Sequence, residues 1–183
     1  MLRLVERAPT SLMIGGREYP VDTDYVSCLL TVLALQDAEL LAEERVELLL
    51  GNLYDCVPHD PLEAVRQGLW FLRCGRDGDN RDVKKLCDFA QDGDYIYNAL
   101  LKKGVDLDKC EKMHWWTFVA HFSEIPESAF TRIVYLRERR SRGKLTKDER
   151  AECARIGWNV IDLRDPADEE LAGLFASAAE GGE

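Results

Sequence analysis

Segment after segment of this chain sets apolar residues three, four and seven positions apart, and that period restricts the fold more than any other feature. Val46, Leu49, Leu50 and Leu53 form one such set, and Trp115, Phe118, Val119 and Phe122 form another. A period near 3.6 places each set on one stripe of an α-helix. After Asp22 and Thr23, either a fitting N-cap, the residues Tyr25, Cys28, Leu29, Val32 and Leu35 predict a first helix. Asp60-Pro61 is a cap followed by a first-turn proline, and it opens a helix expected to bury Leu62, Val65, Leu69 and Leu72. Trp70 and Phe71 would make that helix apolar around most of its girth. A helix is expected near Asp94 to Lys103, stopped by Gly104. Pro126 starts another, with Phe130, Ile133 and Val134 facing inward, and Lys144 to Trp158 suits a further one.

One short piece breaks the helical rule. Ser11 to Ile14 and Arg17 to Val21 flank Gly15-Gly16, a pair that supplies the positive φ angles of a tight hairpin turn. A two-residue loop sets Leu12 opposite Tyr19, and Pro20 confines its strand to an edge or ends it. The expected fold is therefore mainly α, a helical bundle with an N-terminal β-hairpin. A single domain over residues 1–163 accounts for the pattern. Gly75 to Asp82 reads as a polar loop. Residues 164–183, rich in Ala, Glu and Gly, read as an acidic, flexible tail.

With 46% apolar and 32% charged residues over 183 positions, the chain can bury a real core and stay in solution. The net charge of −10 disfavours general nucleic-acid binding. The charge is uneven. Arg132 to Lys147 carries seven basic residues against one acid, whereas Asp165 to Glu183 carries six acids and no base. A solvated helix end and a solubilising tail explain this blandly; a site for an anionic partner is the sharper reading. The six cysteines, Cys28, Cys56, Cys74, Cys87, Cys110 and Cys153, sit among apolar helical neighbours and read as reduced, buried thiols. Arg3, Glu6, Arg7 and Pro9 interrupt any signal-peptide core, and no apolar run is long enough to cross a membrane.

Chemical motifs fail on spacing. There is no C-x-x-C pair, and Cys56 with His59 or Cys110 with His114 each supplies half of a zinc site. Asp77, Asp79 and Arg81 open like a calcium loop, but a cation stands at the fifth place and Asp82 where glycine is required. Phosphate-cradling glycine motifs and a nucleophile elbow are absent. No cofactor is expected. A Cys–His dyad stays open from sequence, since its members need only meet in space. His114 and His121, seven apart, read as histidines at the edge of a core on one helix.

One constellation is unusual. Residues 92 to 101 read D-G-D-Y-I-Y-N-A-L-L, then Asp106-Leu107 follows, then H-W-W-T-F at His114 to Phe118, then I-P-E at Ile125 to Glu127. Upstream stand Y-P-V-D-T-D from Tyr19 and W-F-L-R-C-G from Trp70. In this order the pieces resemble the bacteriophage gene-product-fifteen family of siphophages and prophages of Gram-positive bacteria, over about Leu12 to Arg140. The resemblance implies a non-catalytic tail-assembly chaperone, encoded in a tail gene module. It would bind the tape-measure protein or another tail protein in the bacterial host cytoplasm and be absent from the mature virion. A frameshifted longer partner and a homo-oligomer are compatible with it. The final Trp158 to Leu163 segment and the acidic tail depart from the family's basic helical end.

A chaperone of this kind needs an apolar surface for a client helix. Trp115 and Trp116 point about 100° apart on a helix. Trp115, in phase with Phe118 and Phe122, is expected in the core. Trp116 either joins it in the core or, with Tyr95 or Tyr97, lines a groove or subunit contact. Arg132 and Arg137 represent the basic stretch. Two alternatives remain: a nucleic-acid-binding regulator using residues 132–147, and a Cys/His metal protein or enzyme.

Overall fold

The computed structural model describes residues 6–76 and 85–163. The expected acidic tail and most of the expected polar loop at 75–82 lie outside the described residues. Among the described residues the chain is mainly helical, with one hairpin formed by β1 (Ser11–Ile14) and β2 (Arg17–Pro20). The helices are α1 (Tyr25–Gln36), α2 (Ala42–Leu53), α3 (Pro61–Leu72), α4 (Phe89–Lys102), α5 (Trp115–Ser123), α6 (Ala129–Ser141), α7 (Lys147–Ile156) and the single turn α8 (Trp158–Ile161). A 3-10 turn, Leu107–Lys109, precedes α5. The chain forms two compact units: Met1–Asp82 with Val105–Glu124, and Val83–Gly104 with Ile125–Glu183. The single span 1–163 expected above covers the described parts of both.

In the first unit the hairpin has the expected register, Leu12 opposite Tyr19 and Ile14 opposite Arg17. Gly15 and Gly16 have φ of 55° and 80°, the left-handed pair that such a turn needs. Leu12, Ile14 and Tyr19 are buried, and β1 packs on α3. Val21 falls outside the strand. It lies past Pro20 and bridges Tyr54 instead.

Helix α1 starts at a cap later than both sequence candidates, one residue past Thr23: Asp24 accepts from the Val26 N–H at 2.9 Å. Leu41, before α2, has no side-chain acceptor, and the Glu44 carboxylate takes its N–H at 2.7 Å. Asp60 caps α3 through the Glu63 N–H, as expected. The buried face of α3 shares only Leu72 with the expected one. It is Ala64, Gly68, Phe71 and Leu72, and Leu62 is 83% exposed. A Cβ on Gly68 would come within 3.0 Å of Leu53 and 3.1 Å of Leu49. The small face turns inward because only it admits α2 so closely, and Leu62 is carried outward. Tyr54, whose hydroxyl donates to the Ala64 carbonyl at 2.6 Å, ties the same two helices.

In the second unit α4 begins at Phe89, earlier than expected, because Asp88 accepts from the Ala90 and Gln91 N–H groups. Helix α6 begins at Ala129, later than expected, because Ser128 and Thr131 cap it reciprocally. Ile133, Leu136, Cys153 and Ile161 form the core here. Beside it stands one buried ion pair. Arg137 on α6 meets Asp92 on α4 in a two-pronged contact, at 2.6 and 2.8 Å. Its other N–H groups donate to the carbonyls of Ile161 at 3.0 Å, Val160 at 2.7 Å and Leu86 at 3.1 Å. All five guanidinium donors are thereby used, and Asp92 also accepts the Asp88 N–H at 2.9 Å. The contact joins α4, α6 and α8.

Removing the cation alone strands a buried carboxylate. Arg137→Met is expected to lower unfolding free energy by roughly 3–5 kcal/mol, and adding Asp92→Leu is expected to recover most of that loss. Urea unfolding of the full chain measures both.

Candidate functional site

The H-W-W-T-F motif closes the end of a neighbouring helix in the first unit. His114 stands just before α5 as its N-cap, and its Nδ1 accepts the Trp116 N–H at 3.1 Å. Its Nε2 donates to the Pro9 carbonyl at 3.1 Å. Backbone bonds from Tyr25 to Met113 and from Trp115 to Thr23, at 2.8 and 2.7 Å, seat this turn against the start of α1. The two indoles then reach the same helix end. Trp115 Nε1 donates to the Leu72 carbonyl at 2.9 Å, and Trp116 Nε1 donates to the Phe71 carbonyl at 2.8 Å. Helix termini leave four carbonyls without helical partners. Here Leu69 receives Arg73, Trp70 receives Gly75, Phe71 receives Cys74 and an indole, and Leu72 receives the other indole.

W-F-L-R-C-G is the other half of this closure. Cys74 takes φ 55° and Gly75 φ 75°, and their N–H groups bond back to Phe71 and Trp70 in a Schellman motif. A Cβ on Gly75 would lie 2.9 Å from the Trp116 ring, so only glycine fits there.

Two surfaces of this unit are available to a partner. The first is a cleft of about 420 Å³ lined by Cys74, Gly75, Arg76, Trp116, Val119, Ala120, Ser123 and Glu124. The second is the outward side of α1. Nine of the twelve residues from Tyr25 to Gln36 are apolar and none is charged. Only Cys28 and Thr31 are buried. Thr31 is tolerated inside because its hydroxyl bonds the Ser27 carbonyl at 2.8 Å. On the far side of the helix Val26 is 48% and Leu30 57% exposed, with Leu33 half-buried beside them. Their spacing, four then three, is that of a helix–helix seam. Sequence reading missed this seam. Its signal was an uncharged helix carrying more apolar residues than one buried face requires.

The residues singled out from sequence divide between the units. Both tryptophans are buried, and Trp116, at 3% exposure, is at once a core residue and a wall of the cleft. Tyr95, Tyr97, Arg132 and Arg137 belong to the second unit. Tyr95 packs on the Ile133–Leu136 core, and Tyr97 is half-buried. Arg137 is withdrawn from any docking surface, because its guanidinium is enclosed around Asp92. Arg132 is exposed but paired with Glu152 at 2.9 and 2.5 Å, and lies over the Tyr135 ring. That contact holds the Glu152 carboxyl below its ordinary range. Arg139 meets Glu149, Arg140 meets Asp162 and Arg142 meets Glu138. Five of the seven basic residues of the stretch are thus matched with acids inside the unit, which weakens the field it offers an anionic partner.

The cysteines are free thiols, but only Cys28 and Cys153 are buried, and Cys56 is exposed. The expectation of uniformly buried thiols therefore holds for two of them. Burial, with help from Asp22 and Asp24, pushes the Cys28 thiol well up, and burial likewise raises Cys87 and Cys153. A raised thiol is a poorer nucleophile at neutral pH. Among the described residues no group of three or more His, Cys, Asp or Glu is placed to hold a metal ion, and no helix is long and apolar enough to cross a membrane. His114 caps α5 rather than lying on it, so it does not share a helical face with His121. Trp115→Phe leaves the Leu72 carbonyl without its indole donor and is expected to cost about 1–3 kcal/mol of stability by urea unfolding.

Comparison with curated proteins and with solved structures returned no match. A family model does match, that of the Bacteriophage Gp15 protein, over residues 4–159. The match spans most of the chain and includes both the D-Y-I-Y and H-W-W segments, so this chain belongs to the bacteriophage Gp15 protein family.

Proposed function

We propose that the chain is a non-catalytic tail-assembly chaperone, which transiently binds the tape-measure protein and keeps it in solution in the host cytoplasm until tail-tube subunits assemble around it. The observation that carries this reading is the outward side of α1, an uncharged helix with Val26 and Leu30 standing in solvent. A helix that is apolar around its girth normally has neighbours on every side. Here the buried side faces the unit's own core and the other side presents a seam at i, i+4 and i+7. That seam is suited to an extended helical client whose apolar stripe would otherwise aggregate. The hydrogen-bonded turn at His114 and the packed α1–α2 pair hold the seam on a rigid support, which limits the ordering cost of binding. The net charge of −10 helps keep a chaperone–client complex dispersed.

Co-expression with a tape-measure fragment tests this. The soluble fraction of the fragment is expected to rise severalfold and to co-purify with the chain. Leu30→Lys is expected to abolish both effects without changing the chain's own thermal midpoint. Unchanged solubility with no co-purification would contradict the proposal.

A further inference from the structure

The surroundings of the α1 seam specify the chemistry of what docks there. From Asp22 to Glu47 the chain carries seven acids and one base, and none of them lies within α1. The seam is therefore a neutral apolar strip with acidic borders. Asp37 and Glu39 follow its C-terminal end, while Glu43, Glu44 and Glu47 stand on α2, which packs directly against α1. All five are exposed, and among the described residues none of them pairs with a cation. The contrast with the second unit is plain, since there Arg132, Arg139, Arg140 and Arg142 each have a partner acid. The lone cation of this region, Arg45, is half-buried on α2.

An acidic border repels an acidic ligand and raises the encounter rate of a basic one. We propose that the outward seam of α1 receives a cationic amphipathic helix, with apolar side chains on Val26, Leu30 and Leu33 and Lys or Arg on its flanks meeting Asp37, Glu39, Glu43 and Glu47. This rests on the reading that the chain binds a helical client, and it adds where that client binds and what charge it carries.

Two synthetic three-heptad peptides with the same leucine stripe, one flanked by Lys and one by Glu, are the probes. Titration into the full chain, followed by fluorescence anisotropy, is expected to show binding of the Lys peptide and at least about tenfold weaker binding of the Glu peptide. Affinity for the Lys peptide should fall as salt is raised, because the borders are solvent-exposed. The double substitution Glu43→Lys, Glu47→Lys should weaken it about tenfold, and Leu30→Lys should remove it. Equal binding of the two peptides, or full binding by the Leu30→Lys chain, would overturn the inference. So would a dimer of the free chain that Leu30→Lys dissociates, because a second copy would then cover the seam. If the tape-measure fragment is rescued equally by the wild-type and charge-reversed chains, the chaperone reading survives and this one fails. If the Lys peptide binds as described but the fragment is not rescued, the reverse holds.

Discussion

Two indole N–H groups on consecutive residues hold the first unit together at its least forgiving point. The last turn of α3 ends inside the unit, where an unmet carbonyl costs as much as a lost hydrogen bond. Trp115 and Trp116 meet the two carbonyls nearest that end, Leu72 and Phe71. They can do so only because they are adjacent: side chains about 100° apart diverge enough to reach successive carbonyls. His114 sets the direction of both by capping α5, and its other ring nitrogen anchors the turn to Pro9. Gly75 then lets the chain leave α3 under the Trp116 ring. The pairing of H-W-W with W-F-L-R-C-G is thus a packing requirement, and α1 is seated by the same turn through Thr23 and Met113.

The second unit depends on a different device. Asp92 opens the D-G-D-Y-I-Y segment, and its partner Arg137 is contributed by a helix that looks, in sequence, like a solvated basic face. A buried ion pair is weak evidence for stability, but breaking one half of it is costly. Its five directed hydrogen bonds make the arrangement of α4, α6 and α8 specific. The remaining arginines of α6, with Arg142 just after it, are drawn to acids on α6, on α7 and after α8, so this unit offers little unbalanced charge. Among the described residues the acids around α1 in the first unit have no such partners.

What could be read in the sequence followed from local rules. The hairpin register follows from Gly15-Gly16 and the alternation around it. The start of α3 follows from Asp60-Pro61, and the stop of α4 from Gly104. What escaped reading depended on contacts distant along the chain. The inward turn of Ala64 and Gly68 on α3 requires knowing that Leu49 and Leu53 lie opposite. Arg137 reads as a surface cation until Asp92, 45 residues earlier, is placed beside it. Trp116 reads as surplus because its phase differs from that of Trp115, yet the carbonyl it serves belongs to another helix. The α1 seam was missed for the opposite reason: an uncharged, mostly apolar helix resembles a core helix, and only the structure shows which side is left uncovered.

The central claim is that α1 is the surface on which this phage protein receives its client. Hydrogen exchange on the full chain, alone and bound to a co-expressed tape-measure fragment, tests it most directly. Slower exchange along Tyr25–Gln36, with α6 and α7 unchanged, is the predicted result. Protection confined to α6 and α7, with α1 exchanging as in the free chain, would contradict it.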